Sequence, residues 1–232
     1  MMRFLSASIT ACLLLGAGPA SAGPDLPAGD LVFQVMLDDR KIGYHRFSIR
    51  ESGDGRQVES TANFDVKVLF VPVYSYRHQA RETWQQGCLA ELQSETDANG
   101  KRYAVVGERL DDGFRLATGD VERRVEDACV MTFAYWNPTF LEQRQLLNVQ
   151  TGELLEVAVS PLGESVLDMG SRKVPADGYR VTGNGGEVDI RVWYSRGDRR
   201  WVGLESVVDN GRTLRYRPVT GDDQVAARDG RG

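Results

Sequence analysis

The stretch that decides the fold is Val66–Cys88, VKVLFVPVYSYRHQARETWQQGC. It joins an apolar run to a run in which aromatic and polar residues alternate, and it ends at a cysteine. Pro72 lacks the N–H that a central strand needs, so a bend or a change of strand is expected there. From Tyr74 to Trp84 the side chains alternate with the period of two of a β-strand. The stretch is therefore predicted to form the central strand pair of a β-protein.

The two faces of this predicted strand differ in character. Arg77 and Arg81 lie on the face that is expected to be solvated. His45, on the predicted strand Ile42–Arg50, falls on an apolar face and is expected to point inward. The inward face of the central strand is predicted to carry the densest polar group in the chain, namely Tyr74, Tyr76, His78, Glu82 and Trp84.

Strand signals continue on both sides of this stretch, with turns between them. Leu31–Leu37 and Ile42–Arg50 form a predicted hairpin, and Asn99-Gly100 is a strong turn signal because both residues tolerate positive φ. Thr139–Leu147 is the one predicted helix. Further strands are predicted at Gln57–Phe70, Tyr74–Trp84, Cys88–Thr96, Arg102–Arg109, Gly113–Thr118, Val121–Val125, Glu153–Val159, Glu164–Met169, Gly178–Thr182, Val188–Tyr194, Trp201–Val208 and Arg212–Pro218.

The fold class that follows is all-β. We expect a single large antiparallel, strongly curved sheet or incomplete barrel with one short helix near its opening, and a two-sheet sandwich is the alternative. Residues 23–220 are predicted to form one domain with one core. Residues 221–232 are charged, rich in glycine and without periodicity, so they are predicted to be a disordered tail.

Met1–Ala22 has the features of a secretory signal peptide. Arg3 precedes a short, mostly apolar run, and Ala20-Ser21-Ala22 is a small-residue cleavage signal. Cleavage after Ala22 would place the mature protein in the periplasm or outside the cell. The alternatives are an uncleaved anchor and a lipoprotein signal at Cys12, although the apolar run continues beyond that cysteine.

The cysteine count agrees with export. The chain has 3 cysteines, and cleavage would remove Cys12. Cys88 and Cys129 then remain as an even pair in an oxidising compartment, which favours a disulfide. A redox pair or a pair of metal ligands is the alternative, but the chain has no Cys-x-x-Cys motif.

Composition excludes several classes of function. The net charge is −5, and losing Arg3 with the signal peptide makes it −6, so the basic patch of a nucleic-acid-binding protein is not expected. No segment after the signal peptide is apolar enough to span a membrane. The sequence has no Walker loop, no Gly-x-Gly-x-x-Gly and no Gly-x-Ser-x-Gly motif, and no cofactor is predicted.

Several stretches resemble an uncharacterised family of secreted bacterial proteins of unknown function. They are VLFVPVYSYRHQARETWQQGCL with the following TDANGKRY, and AYWNPTFLEQRQLLNVQTGEL with the later DIRVWYS and RWVGLESVV. The resemblance spans nearly the whole mature chain. It implies an envelope or periplasmic β-protein and supplies no catalytic residues. A long curved sheet with a short helical plug is also similar, in architecture alone, to the half-barrel carriers that move lipids or lipoproteins across the periplasm.

The first candidate site is the inward face described above, joined by His45. A histidine beside a glutamate is suited to acid–base chemistry. However, His78 and Glu82 are four residues apart, or roughly 13 Å along a strand, so each needs a partner from a neighbouring strand. The structural alternative is that these polar groups satisfy one another in a polar-lined barrel. A metal site of both histidines with Glu82 is possible on paper, but no ligand spacing supports it, and no metal is predicted.

The second candidate site is the stretch around Trp136 and Asn137, with Tyr135, Asn148 and Gln150. Aromatic rings stack on sugars or lipid headgroups, and amides hydrogen-bond to them. The structural alternative is a capped helix start with aromatic residues in the core.

Three functions remain. The first is a non-enzymatic carrier or binder of an apolar or amphipathic envelope ligand. The second is an envelope hydrolase-like enzyme that uses His78 and Glu82. The third is an envelope scaffold that binds other proteins through its sheet edges.

Overall fold

The described residues of the computed structural model form one antiparallel sheet of 14 strands. The structure describes residues 28–68, 71–170, 172–208 and 211–219, so the predicted signal peptide and the predicted tail lie outside it. The strands are β1 Gly29–Leu37, β2 Arg40–Ser52, β3 Gly55–Val68, β4 Val71–Gln85, β5 Cys88–Ala98, β6 Lys101–Leu110, β7 Gly113–Thr118, β8 Val121–Val125, β9 Gln145–Leu147, β10 Leu154–Asp168, β11 Lys173–Gly183, β12 Val188–Ser195, β13 Trp201–Val208 and β14 Arg212–Pro218.

The strand order shows two meanders joined at the middle of the sheet. It runs β8-β7-β6-β5-β4-β3-β2-β1-β14-β13-β12-β11-β10-β9, so the first and last strands pair with each other at the centre. The sheet is not closed into a barrel, and β8 and β9 are its two edges. The chain therefore has to pass from one edge to the other between β8 and β9.

That connection, Glu126–Arg144, is named the plug here because it crosses the inside of the curved sheet. Val130, Met131 and Trp136 within it are buried. A disulfide joins Cys88 at the start of β5 to Cys129, 41 residues later, and the Leu89 amide donates to the Val130 carbonyl over 3.1 Å. The predicted disulfide is thus confirmed, and it fixes the plug to one half of the sheet.

A shared core shows that the sheet is strongly curved. One cluster of buried residues contains Phe114 of β7 and Val192 of β12 together with Phe140 of the plug. These strands lie far apart in the strand order, so the two halves of the sheet must face each other across the plug. Arg123 of β8 also donates to the carbonyl of Gly152. This hydrogen bond connects one edge strand, β8, to the turn that follows the other edge strand, β9. The prediction of an all-β, strongly curved sheet is confirmed.

The predicted helix over Thr139–Leu147 is wrong. Only Pro138–Glu142 is helical, as a single 3₁₀ segment, and β9 follows it. Leu146 and Leu147 are fully buried. These two leucines belong to a short strand that pairs with β10, so their burial comes from the sheet and not from a helical face.

The two strands predicted at Glu153–Val159 and Glu164–Met169 are one strand, β10. The register of β10 against β11 shifts between Pro161 and Gly163. Because a proline lacks only the amide donor, a strand can continue through it at a bulge or a sheet edge. Among the described residues, no helix has the length and apolar character needed to cross a membrane.

Candidate functional site

A cavity of about 240 Å³ lies between the plug and the concave face of the sheet. It is lined from three directions, which is possible only because the sheet curves around the plug. One half of the sheet contributes His45, Phe47, Val58, Ser60, Tyr76, His78 and Glu82; the plug and the turn after β9 contribute Thr132, Phe133, Ala134, Tyr135, Trp136, Asn148, Val149 and Gln150; the other half of the sheet contributes Leu155, Glu187, Val188, Ile190 and Ser206.

Larger grooves of about 410 and 580 Å³ run along β3–β6. Exposed side chains such as Glu59, Arg81 and Gln93 line them. Arg81 donates to Glu59 across the same surface over 3.1 Å. These grooves are ordinary solvated sheet surface, so we take the smaller cavity, whose lining is mainly apolar, as the candidate site.

Two histidines lie side by side in the cavity wall, with ring centroids 6.4 Å apart. Both nitrogens of His45 are engaged, Nδ1 with the Tyr216 hydroxyl at 3.1 Å and Nε2 with the Ser60 hydroxyl at 2.7 Å. His78 uses Nδ1 for the Thr96 hydroxyl at 2.8 Å. Burial lowers the pKa of His78 to about 4, and burial together with His78 lowers the pKa of His45 well below its usual value. Both rings are therefore neutral near pH 7.

Glu82 is buried at 8 % exposure, and its nearest polar partner is on the same strand. The Trp84 indole N–H donates to Glu82 Oε2 over 2.8 Å. The Trp84 ring in turn meets Trp136 of the plug edge to face, with centroids 5.5 Å apart. Burial raises the pKa of Glu82 to about 7, although the indole hydrogen bond acts in the opposite direction. Glu82 can therefore exchange a proton near neutral pH.

The two candidate sites from the sequence meet in this one cavity. The Tyr76 hydroxyl on β4 donates to Gln150 Oε1 over 3.0 Å, although the two residues are 74 positions apart. The backbone N–H of Gln150 donates in turn to Asn148 Oδ1 over 2.9 Å. Burial raises the pKa of the Tyr76 phenol, so it stays a protonated hydrogen-bond donor. Tyr135, Trp136, Asn148 and Gln150 of the second candidate thus form the wall opposite the first.

Of the predicted site residues, His45, Tyr76, His78, Glu82 and Trp136 line the cavity. Arg77 and Arg81 face outward as predicted, and both are exposed.

Three predicted site residues lie elsewhere. Tyr74 was expected to point inward but is 40 % exposed, because it lies on β4 before the strand reaches the cavity. Trp84 is buried behind Glu82. Asn137 is buried and caps the 3₁₀ segment, accepting hydrogen bonds from the backbone amide and the hydroxyl of Thr139. For Asn137 the structural alternative, a capped helical start, is what the structure shows.

Sequence reasoning missed several lining residues. Ser60 could have been found, because the period of two in β3 places it on the same face as the buried Val58 and Ala62. Nothing in the sequence indicated that Thr132 lines the cavity. In the structure, its buried hydroxyl has no hydrogen-bond partner among the described residues. Glu187 and Ile190 belong to the second meander, and no local pattern connects them to β4.

The lining consists mainly of aromatic rings and aliphatic side chains, with a few polar groups and the carboxyl groups of Glu82 and Glu187. Within the described residues, no group of three or more His, Cys, Asp or Glu side chains has the arrangement of a metal site. Such a cavity suits a ligand with a large apolar part and few polar atoms.

The amino-acid sequence matches the model of a known protein family. The family described as a domain of unknown function (DUF6134) matches residues 33–219. The chain belongs to the DUF6134 family. No curated protein matches it. The residues matched to DUF6134 include every residue that lines the cavity, so the cavity is formed wholly by the DUF6134 domain.

Proposed function

We propose that this DUF6134 protein is an exported, non-enzymatic protein that binds a compact amphipathic molecule in the cavity between the sheet and the plug. The observation that carries the proposal is the cavity itself, about 240 Å³ of space lined mainly by apolar and aromatic side chains. A concave, mainly apolar space with a few polar groups in its wall is the usual form of a small-molecule binding site.

The volume limits the ligand. An engineered apolar cavity of about 150 Å³ accepts benzene, with six non-hydrogen atoms. In proportion, a cavity of about 240 Å³ accepts roughly ten non-hydrogen atoms. The ligand is therefore a small molecule, or one chain or ring of a larger one, and a whole two-chain lipid does not fit inside.

Two further features support an envelope location. The sequence of Met1–Ala22 has the pattern of a signal peptide. The disulfide between Cys88 and Cys129 is compatible with an oxidising compartment. The architectural similarity to periplasmic half-barrel carriers agrees with the same location, and the curved sheet around a plug gives the physical means of enclosing a ligand.

The test is a cavity-filling substitution with a matched control. Ile190 lines the cavity, and its neighbour Arg191 is exposed on the opposite face of β12. We expect Ile190→Trp to weaken the binding of 1-octanol at least tenfold in isothermal titration calorimetry, whereas Arg191→Trp leaves binding unchanged. Equal binding by wild type and Ile190→Trp would show that the cavity is not the site. Mass spectrometry of small molecules co-purifying with the exported protein then identifies the natural ligand.

A second candidate function is acid–base catalysis, which the raised pKa of Glu82 favours. A carboxyl group with a pKa of about 7 is suited to a general acid or base near neutral pH. Its partner would be His78, which lines the same cavity through a neutral ring. This candidate predicts turnover of small esters that Glu82→Gln abolishes, measured as release of a chromogenic alcohol. Turnover that equals that of Glu82→Gln would remove it.

A further inference from the structure

Glu82 is a buried acid that has no opposite charge beside it. Its hydrogen bond within the described residues comes from the Trp84 indole and engages Oε2. Other acidic residues on these strands are paired on the surface, for example Asp65 with Arg77 at 2.8 Å and Glu59 with Arg81 at 3.1 Å. A buried carboxylate without a counter-ion is costly, so proteins normally pair it or keep it protonated. Glu82 instead faces a cavity.

The residues that line the cavity with Glu82 supply no positive charge, and Arg56, on the same face of β3, is paired in register with Trp84 and does not line the cavity. The titratable side chains that line the cavity are His45 from β2, Tyr76 and His78 from β4, Tyr135 from the plug and Glu187 from the other half of the sheet. None of the described lining residues is a lysine or an arginine. Burial keeps the two histidines neutral and the two phenols protonated, so no lining residue offsets the negative charge of Glu82 above pH 7.

Aromatic rings complete the environment. Five ring side chains line the cavity besides the histidines: Phe47, Tyr76, Phe133, Tyr135 and Trp136. The faces of such rings carry negative potential and attract organic cations, most strongly where water is excluded. A carboxylate among aromatic rings is the chemistry by which proteins recognise an ammonium group attached to an apolar body.

We propose that the cavity selects an amphipathic amine, whose ammonium group lies beside Glu82 and whose apolar part of roughly ten non-hydrogen atoms fills the space between the plug and the sheet. This inference rests on the proposed function, because it requires that the cavity binds a ligand. Beyond the proposed function, it specifies that the ligand carries a positive charge. An anionic molecule such as a fatty acid would meet two carboxylates and no cation, so it is selected against.

The first test needs no variant. Octylamine, 1-octanol and octanoate share one tail and differ in head charge, and all three are titrated into the wild-type protein at pH 8. We expect octylamine to bind at least tenfold more tightly than 1-octanol, and octanoate to bind most weakly. Ethylamine at the same concentrations controls for attraction of an amine to the acidic surface, and no binding is expected because it lacks the tail.

The second test removes the charge of Glu82. In Glu82→Gln the affinity for octylamine is expected to fall to that for 1-octanol, and the affinity for 1-octanol to change less than threefold. The matched control is Glu95→Gln, because Glu95 is exposed on the outward face of β5. In the wild type the preference for octylamine is also expected to shrink at pH 5.5, where Glu82 is protonated.

The outcomes separate the inference from the proposed function. If 1-octanol binds as tightly as octylamine, or if Glu82→Gln leaves octylamine binding unchanged, the ligand is not selected as a cation, and the proposed function stands. If none of the three octyl compounds binds, the proposed function fails and the inference fails with it. If Glu82→Gln does not fold, the comparison of head groups on the wild type still decides.

Discussion

Replacing Glu82 with glutamine should change how the stability of the protein depends on pH. Burial raises the pKa of Glu82 from an ordinary value of 4.5 to about 7. The folded protein therefore holds a proton on Glu82 that the unfolded chain has already released between these pH values. The resulting stability is fully present below pH 4.5 and is lost as the pH rises through 7.

The size of the effect follows from the two pKa values. One pKa unit corresponds to about 1.4 kcal/mol, so the free energy of unfolding should lose about 3 kcal/mol to Glu82 as the pH rises from 4.5 to 8. Glu82 is almost fully buried, so solvent screening removes little of this. Glutamine cannot ionise there and keeps an oxygen that accepts the hydrogen bond from Trp84.

The wild type alone does not reveal this loss, because His78 acts in the opposite direction. Burial lowers the pKa of His78 from 6.5 to about 4, so its contribution is present above pH 6.5 and is lost as the pH falls through 4. Burial also lowers the pKa of His45, which therefore acts in the same direction as His78, so the two histidines together mask the loss at Glu82. The informative quantity is the wild-type free energy of unfolding minus that of Glu82→Gln, in which the histidine contribution is the same on both sides.

The assay is urea unfolding followed by tryptophan fluorescence at several pH values from 4.5 to 8. We expect the stability of the wild type relative to Glu82→Gln to fall by about 3 kcal/mol over this range. Glu95→Gln, on the exposed face of β5, should differ from the wild type by less than about 0.5 kcal/mol throughout. A difference between wild type and Glu82→Gln that does not vary with pH would refute the reasoning, because Glu82 would then ionise in the fold as it does in the unfolded chain.

Three further outcomes are expected from thermal and urea unfolding. Reducing or removing the disulfide between Cys88 and Cys129 should cost about 4 kcal/mol, because it opens a loop of 41 residues that fixes the plug. Thr132→Val should raise stability by about 1 kcal/mol, since it replaces a buried hydroxyl that has no partner with a methyl group of the same shape; a loss of stability would show that the hydroxyl is bonded. Gly43→Ala should cost more than about 2 kcal/mol, because the φ of Gly43 is +155° and the new Cβ would lie 1.9 Å from the carbonyl oxygen of Asn63. Unchanged stability would show that the backbone relaxes.

The strands could be predicted because their information is local. The alternation from Tyr74 to Trp84 sets the faces of β4, and the structure buries His78 and Glu82 on one face while it exposes Arg77 on the other. Hairpin turns such as Asn99-Gly100 carry their own signal in positive φ.

The failures came where burial has a non-local cause. Leu146 and Leu147 form an adjacent apolar pair that fits neither a helical stripe nor an alternating strand. Both are buried because the chain enters the core at β9 after crossing the sheet, so one side packs on β10 and the other on the plug. Tyr74 continues the alternation of β4 but is exposed, because periodicity assigns a face and does not show where along a strand the core ends.

The site could not be assembled from the sequence for the same reason. Glu82 on β4 and Ile190 on β12 are six strand positions apart in the sheet order. In a flat sheet, with neighbouring strands about 4.8 Å apart, they would be separated by roughly 29 Å. Both nevertheless line one cavity of about 240 Å³, so the separation is removed by the curvature of the sheet. Curvature is the sum of small twists over many strands and depends on what the sheet encloses, here the plug and its disulfide. The plug therefore sets the distance between the two halves of the sheet, and with it the size of the molecule that the cavity can hold.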